Sequence, residues 1–142
     1  MIVSNLIITF FIKGAVANNE DAVRGMIDTM PLYMLFSVSI NAPFVEEILF
    51  RHCIKDSVMC YGDNKLTRFM YIFISGFIFA GMHIIGQATS ILDYAFIVPY
   101  MSLGVAFAAL YSKTDNIFSS ISMHFLHNTV TIILYFMASG LI

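Results

Sequence analysis

Three long runs of this chain carry no charged side chain. They cover Phe69 to Leu92 (24 residues), Tyr94 to Ser112 (19 residues) and Asn116 to Ile142 (27 residues). A helix needs about 20 residues to cross the hydrocarbon core of a bilayer. Only helices and closed barrels satisfy every backbone polar group there. Each run therefore predicts a transmembrane helix. A fourth run, Thr29 to Val45, has 17 uncharged residues and leads directly into Glu46, Glu47 and Arg51, so it predicts a span with ionisable groups at its far end. The first twelve residues, MIVSNLIITFFI, are apolar but short. They read as a brief span, as the remnant of a longer one, or as a signal-peptide core ending at Ala15-Val16-Ala17. No Lys or Arg precedes them, which weighs against the signal peptide. The expected fold class is all-α, a polytopic membrane helix bundle of about five transmembrane helices.

Composition agrees. Hydrophobic residues make up 59% of the 142 and charged residues 11%, with a mean hydropathy of +0.84. A soluble domain carries about 25% charged residues, so an ordinary water-soluble enzyme is excluded. The net charge is −2 with no basic run, which leaves nothing to attract nucleic acid. Cys53 and Cys60 match neither a disulfide framework nor a CxxC metal pair.

The organisation is a short apolar segment (1–12), a polar loop (13–28) with room for a short interfacial helix, and a helical core (29–142). Gly14, Asn18, Asn19 and Gly25 act as breakers in the loop. Apolar spacing continues past Arg51 as far as Gly62-Asp63-Asn64, which predicts one long helix from about Pro31 to Tyr61. Pro43 lies inside it and predicts a kink just before the acidic pair. In the loops, Arg51, Lys55, Lys65 and Arg68 precede the third helix and Lys113 precedes the last. Ile84 to Asp93 holds no Lys or Arg and 13–28 holds two. Positive charge favours the cytoplasmic side, which places the first pair of loops inside.

Ionisable groups at membrane depth are costly and mark functional sites by default. Three clusters stand out: Glu46-Glu47-x-x-x-Arg51, Phe79-x-x-x-His83 and His124-x-x-x-Asn128. Glu47 and Arg51 are i,i+4 neighbours in the favourable order. Glu46 sits about 100° round the helix, which leaves it free to act as a general base. His124 and Asn128 share one helix face, where two donors can hold an oxyanion. Counted from the Asp63-Asn64 turn, Glu47 and His83 lie roughly 24 and 29 Å along antiparallel helices, and His124 lies roughly 14 Å beyond Asp115. The three motifs can therefore converge.

Taken together, EExxxR (Glu46 to Arg51), FxxxH (Phe79 to His83) and HxxxN (His124 to Asn128), in order on hydrophobic helices, resemble the CPBP intramembrane proteases. That group includes the CAAX prenyl endopeptidases, the Abi proteins and bacteriocin-immunity proteins. The resemblance covers residues 40 to 135. It implies a multi-pass protein of a bacterial cell membrane that hydrolyses a peptide bond of a membrane-embedded peptide or protein, with the lipid bilayer as its surroundings. Carried over, Glu46 would activate water with help from His83. His124 and Asn128 would stabilise the oxyanion, and Glu47 with Arg51 would hold the first carboxylate in place. Both a metal-free glutamate mechanism and a metalloendopeptidase mechanism fit the group. No HExxH is present, but Glu46, His83 and His124 form a set that could bind Zn.

Other readings compete with catalysis. The Glu-Arg pair could be a purely structural salt bridge. His127 reads as packing or support for His124, and His52 as interfacial. At the level of function, the alternatives are a non-catalytic membrane protein for bacteriocin self-immunity and an ion or proton carrier.

Overall fold

The structure, a computed structural model, describes residues 16–140. The expected apolar segment at 1–12 and the signal-peptide reading lie outside these residues. Among the described residues there is no strand, and four helical runs are long and apolar enough to cross a membrane. The elements in order are α1 (Asn18–Thr29), α2 (Pro31–Met59), α3 (Lys65–Ile84), a 3-10 turn (Ile91–Phe96) leading into α4 (Ile97–Thr114), and α5 (Ile117–Ser139). The polytopic helix bundle expected from the charge-free runs is the architecture found.

Two details sharpen the expectations. Most of the polar loop at 13–28 is helix, because Glu20 and Arg24 pair at 2.6 Å along one face while Ile27 and Ala17 are buried. Gly25 sits inside α1 without ending it. α2 runs through Pro43 as one helix, as its apolar spacing predicts. The turn before Pro43, Ser37–Asn41, widens to π-helix, and so does Ile48–Cys53 after it. A π segment absorbs the missing amide by shifting hydrogen-bond register, and such segments are frequent at functional sites.

The remaining boundaries have local causes. Asn64 caps α3 by accepting from the amides of Leu66 at 2.9 Å and Thr67 at 3.1 Å, and its own amide donates to Thr67 Oγ1 at 3.0 Å. This is a capping box. α4 stops where Asp115 turns left-handed, at φ 52°. Asn116 then caps α5 by accepting from the Phe118 amide at 3.0 Å.

The closest packing is between α3 and α4. A Cβ added to Gly104 would lie 2.9 Å from Gly76 Cα, and one added to Gly76 would lie 2.9 Å from the Val105 amide nitrogen. Only two glycines permit that approach, as small residues do between membrane helices. One turn from this crossing, Phe79 and Tyr100 are buried in the core together with Phe50 and Ile84. A second cluster, Ile27, Met34, Ile132 and Phe136, joins α1, α2 and α5. Many large apolar side chains face outward, among them Leu32, Phe77, Val98 and Leu134. This is the surface a lipid-embedded bundle presents.

Candidate active site

The two adjacent glutamates have different surroundings. Glu47 and Arg51 are fully buried, with Glu47 Oε2 2.9 Å from Arg51 Nε. Arg51 Nη1 donates to Ser75 Oγ at 3.0 Å, and Ser75 Oγ donates to the Phe50 carbonyl at 2.6 Å. The Phe79 and Phe107 rings cover the guanidinium at 4.8 and 5.8 Å. A charge taken this far from water costs several kcal/mol unless it is paired. Arg51, neutralised by Glu47 within α2, therefore locks α2 to α3 through Ser75. It also drops out of the count of loop charges, leaving Lys55, Lys65, Arg68 and Lys113 on that side against the two in 13–28.

Glu46 points elsewhere. Its side chain is 25% exposed, against 0% for Glu47, and it lines a cleft of about 730 Å³. His83, His124 and Asn128 line the same cleft. Glu47 and Arg51 lie beneath it.

His124 connects the two levels. Its Nδ1 donates to Glu47 Oε1 at 2.9 Å, and its Nε2 lies 3.8 Å from Glu46 Oε2. The ring stacks on Phe107, 4.7 Å between centroids. A buried carboxylate on one ring nitrogen fixes the orientation of the other. His83 is held differently. Its Nδ1 donates to the Phe79 carbonyl at 2.8 Å and its ring stacks on Tyr100 at 4.6 Å, so in the neutral ring Nε2 carries the lone pair. Asn128 Nδ2 donates to the Val38 carbonyl at 2.9 Å.

Among the described residues, no three His, Cys, Asp or Glu side chains gather into a group that could hold a metal ion. Glu46, His83 and His124 share the cleft. His124 Nδ1 is engaged by Glu47 and His83 Nδ1 by the backbone, so each ring keeps Nε2 for other contacts.

Several cleft residues carried no motif. Asn19, Glu20 and Arg24 of α1 line the cleft, and the i,i+4 spacing of Glu20 and Arg24 was the available signal that this segment is helical. α1 is fastened at both ends. Asn18 Nδ2 donates to the Gln87 carbonyl at 2.8 Å, and Tyr135 donates to Asp28 at 2.7 Å. Ser75, Tyr100 and Phe107 have no sequence signature at all. His127 lines the cleft as well. His52 sits at the exposed end of α2, 3.3 Å from the Tyr111 hydroxyl.

A family model, the type II CAAX prenyl endopeptidase Rce1-like family, matches residues 28–130. The chain belongs to that family. A curated protein of Bacillus subtilis (strain 168), named "Putative membrane peptidase YdiL", is 31% identical over 121 residues, covering 85% of this chain and 44% of that protein. The chain thus spans less than half the length of this relative. No solved structure matches. The matched region contains all three motifs and the whole of α2, α3 and α4.

Proposed function

We propose that this chain is an intramembrane endopeptidase in which Glu46 activates the hydrolytic water. The observation that carries the reading is the split between adjacent carboxylates: Glu47 is sealed against Arg51 at 2.9 Å, while Glu46 opens onto the cleft beside His124. A structural ion pair needs only one glutamate, so the second has another use. Family membership and the relative's name support the same class of activity.

In the proposed reaction Glu46 takes a proton from water, and the resulting hydroxide adds to the carbonyl carbon of the scissile bond. His83 Nε2 accepts the second water hydrogen and holds the nucleophile in line. The oxyanion forms between His124 Nε2–H and the Asn128 Nδ2 proton that Val38 does not use. For this role both His124 nitrogens carry protons, one donated to Glu47 and one to the oxyanion. Glu46 then returns its proton to the amide nitrogen, and the C–N bond breaks. Preorganised donors of this kind are each worth about 10² to 10³ in rate. No step runs through a metal.

The test is to map new N-termini in membranes of cells that express the full chain or its Glu46→Gln variant at equal level. Peptides made only by the unaltered chain are expected. Identical sets from both, with protection against a membrane-active peptide retained, would replace proteolysis with binding.

A further inference from the structure

We infer that Pro43 is a positioning residue for Asn128, acting through the Val38 carbonyl that the proline leaves without a backbone donor. The role of Asn128 in turnover rests on the proposed hydrolysis, but the contact itself does not.

The argument follows from helix hydrogen-bond arithmetic. In an α-helix the Val38 carbonyl would accept from the amide of Ala42, four residues on, and in a π-helix from the amide five residues on. Here the Ala42 amide donates to Ser37, in π register. The residue five on from Val38 is Pro43, which has no N–H. Both usual donors are gone, and the Val38 carbonyl, half-buried at the cleft wall, is left to find a partner outside its own helix. Asn128 of α5 supplies the replacement through Nδ2 at 2.9 Å.

A primary amide has two N–H bonds at fixed angles. Committing one to Val38 sets the plane of the amide and aims the other. Asn128 lines the cleft, as does Val38 itself. His124, one helical turn earlier in α5, is held just as firmly by Glu47. Both proposed oxyanion donors are thus set by α2, from either side of Glu46, so α5 cannot slide along α2 without breaking both. Pro43 is the origin of one of these holds, three residues before Glu46.

This role carries an unusual signature. A proline inside a helix is destabilising in itself, so Pro43→Ala should leave the melting temperature unchanged or raise it, while releasing Asn128. In detergent-solubilised full-length protein labelled with ¹⁵N-asparagine, the side-chain amide of Asn128, assigned by its loss in Asn128→Asp, should show two well-separated proton shifts, one exchanging slowly. In Pro43→Ala they should collapse towards those of a free amide. Cleavage of the peptides identified by N-terminal mapping should fall about 10²-fold at unchanged KM, the cost of misplacing a catalytic group by about 1 Å. Two results overturn the inference. One is an Asn128 amide that is unshifted in the unaltered protein or unaffected by Pro43→Ala. The other is a Pro43→Ala protein that melts lower and loses activity only in proportion. If no peptide is cleaved by any form, the hydrolytic reading fails, while the spectra still decide whether Pro43 sets Asn128.

Discussion

Glu47→Gln should damage this protein in two separable ways, because Glu47 touches two groups. Its Oε2 faces Arg51 at 2.9 Å and its Oε1 faces His124 at 2.9 Å, all three residues being buried. Neutralising it leaves the Arg51 guanidinium uncompensated, with Ser75 and two aromatic rings as its remaining neighbours. Breaking a buried pair by removing one partner costs about 3–5 kcal/mol, and for a chain of this size that corresponds to a fall in melting temperature on the order of 10 °C. Replacing Arg51 by Met as well removes the stranded charge and should recover most of that loss, since apolar replacement of a whole buried pair is often neutral. Activity should not return, because His124 still lacks the carboxylate that orients it. Glu46→Gln should do the reverse, holding the melting temperature and losing cleavage. The chain has no tryptophan and both cysteines are exposed, so melting is best followed by circular dichroism at 222 nm, beside peptide cleavage for each variant. The reasoning is refuted if Glu47→Gln melts within about 1 °C of the unaltered protein, or if the Glu47→Gln, Arg51→Met protein regains stability and activity together.

Three further outcomes follow. A reporter fused after Lys65 should behave as cytoplasmic and one after Gly86 as external; the opposite pair would show that Lys55, Lys65, Arg68 and Lys113 do not set orientation. Gly104→Ala should cost about 1–3 kcal/mol as an overpacked contact, since its Cβ would meet Gly76 Cα at 2.9 Å, and Gly25→Ala, with nothing within 4 Å, should cost nothing by the same melting assay. The Lys55 ammonium, which hydrogen-bonds to Asp115 and attracts it, holds that carboxyl below its ordinary value of 3.8. Such a depressed group stabilises fully above the ordinary value, and the contribution is lost as pH falls through the lowered one. Asp115→Asn should therefore weaken the acid dependence of stability below about pH 4 without altering stability at neutral pH by more than a surface pair is worth; an unchanged acid limb would remove the pair from the account.

Much of this molecule can be read without coordinates because the bilayer imposes a length rule. A backbone that must satisfy its own hydrogen bonds over some 30 Å leaves helices of about 20 apolar residues as the open-chain solution, so charge-free runs mark spans directly. The runs from Phe69, Tyr94 and Asn116 correspond to α3, α4 and α5 within a few residues. The exceptions have local causes. α3 ends at Ile84, eight residues before its charge-free run does, because no charge marks the turn at Ile85 to Ser90. A short interfacial helix in 13–28 is expected from the sequence, but its extent as α1 is not, because polar residues and Gly25 outweigh its short amphipathic pattern.

The Glu47–Arg51 pair was equally legible, since two residues four apart on one helix meet whatever surrounds them. Contacts between helices were not. His124 against Glu47 joins positions 77 apart, and Asn128 against Val38 joins positions 90 apart. Their meeting depends on how far α5 is shifted along α2 and on which face each helix turns inward. Neither quantity is encoded in spacing along one helix. It is decided where Glu47 receives His124, where Ile27 and Met34 pack against Ile132 and Phe136, and where a proline leaves one carbonyl for a neighbouring helix to satisfy.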